Sequence, residues 1–186
     1  MNLVLAVTGA TGAYAARLLI DKSPWQISLI VSPWGLEVYK RECGPIEELT
    51  SKAAAVYDDA DLSAPIASGS VPTQGMIILP CSTSTTGKIA SGVGDTLITR
   101  AAHCHLKESR KLVLCIRESP WSLIDLDAAR TVAAAGGTIM PISPAFYMTS
   151  DHPPESVTLD TLLDGFVDHV LALFGRSAEK NWESVR

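Results

Sequence analysis

The chain has 186 residues, 47% of them hydrophobic and 19% charged, with a formal net charge of −5. That length supplies one domain with room for a full core, and the acidity argues against a nucleic-acid surface or an anionic membrane as partner. The apolar share is high for a domain of this size, which predicts that other subunits cover part of the surface.

Leu3–Val7 is a continuous apolar run, as expected of a strand buried in a parallel sheet. It runs straight into a glycine turn, and the first residues lack the basic region and cleavage pattern of a signal peptide. Ala13–Ile20 reads as a helix, Ile27–Val31 as a second strand, and Pro33–Cys43 as a helix with proline in its first turn. Met76–Leu79 is a third strand ending in Pro80, and Ile89–Leu106 is helical material interrupted around Gly92–Gly94. Leu112–Ile116 is a fourth strand, Leu126–Ala135 a helix stopped by Gly136-Gly137, and Thr138–Met140 a short strand. Thr158–Gly175 reads as an amphipathic C-terminal helix, followed by a tail that is polar apart from Trp182. Asp58–Ser70 is expected to be an irregular connection or lid, and Ser150–Ser156 a mobile stretch. No apolar run reaches the roughly 18 residues of a membrane span.

Cys43, Cys81, Cys104 and Cys115 are irregularly spaced and form no Cys-x-x-Cys pair, which suits a reduced, cytoplasmic protein. His103-Cys104-His105 suggests metal ligands, but adjacent residues point apart in a helix or strand, so no metal is expected there.

Strands alternating with helices imply a parallel sheet covered on both faces, with ligands bound beyond the carboxyl ends of the strands. The polar groups of interest fall at those ends. Thr8-Gly9-Ala10-Thr11-Gly12-Ala13 follows the first strand, where glycines admit a ligand and a helix N-terminus favours an anion. The same letters open many nicotinamide-dependent dehydrogenases. Those want a third glycine where Ala15 stands and a Tyr-x-x-x-Lys pair, which is absent. A tight turn without a ligand is the other reading. Ser32 can cap the second helix and still expose its hydroxyl. Ser82, Thr83, Ser84 and Thr85 place four hydroxyls after the third strand, while Cys81 reads as a small buried filler. Arg117 and Glu118 follow the fourth strand, where they can bind phosphate and accept a proton, or simply form an ion pair. Arg100 and Lys107 are basic residues near apolar segments. Tyr147 is a phenol near the last strand end, and Glu42 lies on the helix leading away from Ser32.

Several strings occur together in a specific order: Thr8–Ala13, Ala64-Pro65-Ile66-Ala67-Ser68-Gly69-Ser70, Gly75–Ser82, Arg100-Ala101-Ala102, Leu106-Lys107-Glu108, Arg117-Glu118-Ser119-Pro120 and Pro144-Ala145-Phe146-Tyr147. From Val7 to about Gly175 the chain resembles the UbiX-like flavin prenyltransferases. The resemblance implies a Rossmann-like, three-layer α/β fold of flavodoxin-like type with a mainly parallel sheet. It implies one FMN-binding domain over residues 1–175 with a tail at 176–186, and a homododecamer with sites between subunits. The implied reaction moves a dimethylallyl group from dimethylallyl phosphate to N5 and C6 of reduced FMN, and a UbiD-type decarboxylase receives the prenylated FMN.

By matching position, Gly9, Ala10, Thr11, Ser32, Ser82, Thr83, Ser84, Thr85 and Arg117 are expected to hold FMN. Arg100, Lys107, Arg117, Tyr147 and His169 are expected around the prenyl phosphate, and Glu118, Glu42, Thr11 and Tyr147 in catalysis. Trp34 or Trp121 would help to shelter an allylic cation. The chain departs from the family in having Thr11 for serine, Leu62 for a common aromatic residue, and His169 for arginine. The alternative is a non-catalytic FMN carrier. A cysteine decarboxylase reading fails on two counts: no histidine precedes His103, and no Pro-x-Met-Asn segment occurs.

Overall fold

The apolar residues Leu3–Val7 form β1, and all five are fully buried. They are buried on both sides because β1 lies inside a sheet with helices against each face. The structure, a computed structural model, describes residues 2–144, 146–149 and 153–177. After β1 come α1 (Tyr14–Lys22), β2 (Ile27–Val31), α2 (Pro33–Cys43), the one-turn α3 (Glu47–Thr50) and β3 (Ala55–Asp58). Then follow β4 (Gly75–Cys81), α4 (Thr83–Ala90), α5 (Leu97–Lys107), β5 (Leu112–Ile116), α6 (Leu123–Ala134), β6 (Thr138–Ile139) and α7 (Leu159–Ala172). The strand order is β3-β2-β1-β4-β5-β6, and every pairing is parallel. This is the Rossmann-like three-layer order, with its switch point between β1 and β4.

Alternation along β1 divides the core between the two faces. Leu3, Leu5 and Val7 pack with Leu19, Leu79 and Phe166 under α1 and α7. Val4 and Ala6 pack with Ile78, Ile98 and Leu114 under α5. Each large aliphatic side chain buried this way contributes about 1.5–3 kcal/mol. The α7 helix is also tied to α1 by charge. Asp168, 3% exposed, lies 2.8 Å from Lys22 Nζ and 2.8 Å from Arg176 Nη1.

Several elements differ from the sequence reading, the unexpected one-turn α3 among them. β3 was not expected; it is a short outer strand whose residues alternate between half-buried and exposed, so it lacks the apolar run of the inner strands. α4 begins at Thr83, so the hydroxyl run is the first turn of a helix and not a loop. α6 begins at Leu123, earlier than Leu126, because Ser122 and Asp125 form a reciprocal cap. Part of the expected mobile stretch (Ser150, Asp151 and His152), Ala145 of the Pro144–Tyr147 string, and residues 178–186 with Trp182 lie outside the described residues. Among the described residues no helix is long and apolar enough to cross a membrane.

His103, Cys104 and His105 do point apart, towards Ile89 O, Ala67 O and Thr73 respectively. His105 is 1% exposed, with Nδ1 2.7 Å from Ala101 O and Nε2 2.8 Å from Thr73 Oγ1. A carbonyl only accepts, so Nδ1 carries the proton and Nε2 accepts from the threonine hydroxyl. Burial pushes the ring's pKa below its ordinary value. The folded protein therefore binds this proton less readily than the unfolded chain. The stability held by the neutral ring is complete above the unfolded pKa of about 6.5 and is lost as the pH falls. Calorimetry from about pH 7 to pH 5 should show a falling thermal midpoint. A His105→Leu variant should show a smaller acid-side slope, whatever its absolute stability.

Candidate active site

A row of bonds pins the carboxyl ends of four strands. Thr8, 2% exposed, donates its hydroxyl to Pro80 O (2.9 Å) and accepts from Ser82 N (2.8 Å). Ser32 N donates to Val7 O at 3.0 Å, and Arg117 N to Cys81 O at 3.1 Å. The segments leaving β1, β2, β4 and β5 therefore start from fixed positions. Ser32, Ser82 and Arg117, distant in sequence, come to one edge of the sheet.

Two cavities lie at this edge, on either side of the Gly9–Gly12 turn. The smaller, about 320 Å³, is lined by Ser32, Trp34, Ser82, Ser84, Thr85 and Lys88 among others. Both α2 and α4 begin beside it. Ser32 caps α2 by accepting from Gly35 N at 3.0 Å, and Ser82 caps α4 by accepting from Thr85 N at 3.2 Å. The first N–H groups of a helix lack intrahelical partners, and the helix dipole adds positive potential there. Hydroxyls and two helix starts make this cavity suited to an anion; Lys88 is paired with Asp95 at 2.8 Å, and Asp59, which also lines the cavity, accepts from Ile98 N. The larger cavity, about 810 Å³, is mostly apolar and includes Tyr14, Ile142 and Leu163, with Thr11, Glu42, Arg117, Thr158 and Asp160 as polar members.

Glu42 bonds to the end of the glycine turn. Its carboxylate accepts from Gly12 N at 3.0 and 2.9 Å and from Ala13 N at 2.7 Å. The start of α1, where the motif predicted a ligand anion, is already occupied by the chain's own carboxylate. Gly12 is needed because φ is +100° there, and a Cβ would stand 3.2 Å from Ile142 Cδ1. Gly9 is needed because a Cβ would lie 2.6 Å from Trp34 Cβ. Both glycines thus serve packing of the turn. Arg117 Nε donates to Thr11 Oγ1, which holds the guanidinium over the turn. Glu118 turns elsewhere, accepting from Ser119 N at 3.0 Å with Thr83 Oγ1 3.5 Å away, so the adjacent pair does not bond to itself. Cys81 is fully buried and its thiol is pushed up to about 12, chiefly by burial, as suits a filler and not a nucleophile.

The first 164 residues match the profile of the flavoprotein family. The flavin prenyltransferase UbiX of Deinococcus radiodurans is 43% identical over 181 residues, covering 95% of this chain and 90% of that protein. The chain belongs to the UbiX-like flavin prenyltransferases. The crystal structure of AnUbiX in complex with FMN and dimethylallyl pyrophosphate superposes with a TM-score of 0.89 at 35% identity, over 97% of this chain and 96% of that one. A dodecameric FMN-dependent UbiX-like decarboxylase from Escherichia coli gives 0.88 at 35% identity, over 97% and 98%.

Against the family's expected site, this chain brings together Gly9, Ala10, Thr11, Ser32, Glu42, the Ser82–Thr85 run, Arg117 and Glu118. Tyr147 lies in the turn Phe146–Thr149, just beyond Pro144, which lines the larger cavity. Arg100, Lys107 and His169 are not brought there. Arg100 is exposed on α5 and donates from Nε to Ala67 O at 3.0 Å. Lys107 ends α5 at the opposite edge of the sheet and pairs with Glu108. His169 is exposed in the last turn of α7, whereas the larger cavity takes Leu159, Asp160 and Leu163 from that helix's start.

Sequence reasoning missed the role of Thr8, and also Asp59, Tyr14 and Asp160. Buried Asp59 accepts from Ile98 N at 2.9 Å and from Leu97 N at 2.7 Å through its own carbonyl, fixing the start of α5. Tyr14 donates to Asp160 Oδ1 at 2.6 Å on the wall of the larger cavity, and that bond is the main cause of its raised pKa. These partners are too far apart in sequence to signal each other. Replacing Thr8 by valine keeps the shape but strips Ser82 N of its acceptor. We expect a loss of about 1–3 kcal/mol, read as a thermal midpoint lower by about 2–4 °C per kcal/mol.

Proposed function

We propose that the protein is a flavin prenyltransferase. It transfers a dimethylallyl group from dimethylallyl phosphate to N5 and C6 of reduced FMN, and the prenylated FMN passes to a UbiD-type decarboxylase. The observation that carries this reading is the pairing of an anion-suited hydroxyl cavity with a larger apolar cavity across one turn, in a chain 43% identical to a flavin prenyltransferase. A phosphorylated tricyclic ring fits with its phosphate among Ser32, Ser82, Ser84 and Thr85 and its ring system at the mouth of that cavity, which leaves the larger cavity to the prenyl donor. When bound and reduced, the flavin supplies the nucleophilic atoms.

The chain's own groups divide the remaining work. Arg117, oriented by Thr11, offsets negative charge on the departing phosphate. Tyr147 and the apolar walls exclude water from the allylic group. Glu118, with few partners of its own, accepts the proton released as the ring closes, directly or through phosphate. Glu42 acts by holding the Gly12 turn. Arg100 and Lys107 face outward, where a neighbouring copy in a dodecamer could use them to bind its donor's phosphate. Exposed Leu123, Ile124 and Phe146 offer apolar surface for such contacts. We place the protein in the cytoplasm, as one FMN-binding domain over residues 1–175.

The test is anaerobic incubation with reduced FMN and dimethylallyl phosphate, then with the diphosphate, followed by mass spectrometry of the released flavin. Gain of one dimethylallyl group is expected. Bound but unmodified FMN with both donors would overturn the reading and favour a non-catalytic carrier, the one alternative that His169 in place of arginine suggests. Glu118→Gln should slow turnover about 10²–10⁴-fold while FMN affinity stays near that of the wild type.

A further inference from the structure

Trp34, expected from the sequence to help shelter an allylic cation, has an unusual setting. Its side chain is 73% exposed, unlike the half-buried Trp25 and Trp121. It also lines the hydroxyl cavity beside Ser32 and Ser82. Its root is fixed. Pro33 occupies the first helical position, Ser32 caps the helix, and the absence of a Cβ on Gly9 lets Trp34 Cβ sit directly against the glycine turn. The ring is free where its base is locked. Two other aromatic groups near the edge are engaged: Trp121 Nε1 donates to Glu118 O at 2.9 Å, and Tyr14 to Asp160 at 2.6 Å. An exposed indole with a fixed root next to an anion-suited cavity offers what a phosphorylated heteroaromatic needs, a polar socket with a flat apolar face beside it.

We propose that Trp34 forms the aromatic wall against which the ring system of bound FMN packs; this rests on the FMN reading above. Gly9 is then glycine so that the indole can stand over the turn, and not to admit a phosphate. The contact recognises the flavin ring independently of its phosphate, whereas Ser82 and Thr85 recognise the phosphate independently of the ring.

The two contributions separate when FMN and riboflavin are titrated into the apoprotein. Trp34→Ala should weaken both ligands by a similar factor, about tenfold, with the thermal midpoint of the apoprotein unchanged because the ring is exposed. Trp34→Phe should recover most of the affinity. It should also raise the fluorescence of the bound flavin, since an indole in contact quenches it by electron transfer more strongly than a phenyl ring. Wild-type affinity of Trp34→Ala for both flavins would overturn the proposal. So would a loss confined to FMN, which would mean the indole acts only through the α2 start, or a smaller assembly with flavin affinity intact, which would make it a subunit contact. Failure of the wild-type protein to bind FMN would instead sink the underlying reading.

Discussion

The carboxylate of Glu42, seated on the N–H groups of Gly12 and Ala13, constrains the rest of the site. A helix start attracts one negative charge strongly, and here α2 supplies it to α1 from within the fold. With that carboxylate seated, the N–H groups of Gly12 and Ala13 are already bonded, and the turn lies between the two cavities. An incoming anion is left with the starts of α2 and α4, on the other side of that turn. The arrangement also orients Thr11 towards Arg117, so the guanidinium faces the larger cavity. In the proposed reading, one internal cap decides which cavity takes charge and which takes an apolar group.

Precision at the sheet edge comes from Thr8. Four segments leave the sheet there, and loops of that kind wander unless their first backbone groups are bonded. The Thr8 hydroxyl spends both its donor and an acceptor on the end of β4, joining the two strands at the switch point. The hydroxyls of Ser32 and Ser82 are spent on capping their helices, yet they still face the cavity because an N-cap sits at the helix mouth. Structural and binding roles are compatible at these positions, which explains why small hydroxyl residues stand at both.

Much of this was legible in the sequence. Inner strands such as Leu3–Val7 and Leu112–Ile116 are continuous apolar runs, and such runs mean burial on both faces. Placement of Ser32, Ser82 and Arg117 at one edge followed from the parallel sheet alone. β3 was not legible because an outer strand needs apolar residues on only one side, and Ala55–Asp58 carries too few. The start of α4 was hidden because Ser-Thr-Ser-Thr-Thr has low helix propensity; capping by Ser82 and packing of Ile89 override it. The role of Glu42 was hidden because its partners lie about thirty residues earlier in the chain. Lys107 and Arg100 match the family by position, yet within a protomer the return path of α5 carries them away from the cavities.

The most direct test is a crystal structure of the FMN complex. The account predicts the phosphate at the start of α4, among Ser32, Ser82 and Thr85, with Glu42 still on the N–H groups of Gly12 and Ala13. A phosphate bound to those two N–H groups, with Glu42 displaced, would contradict it.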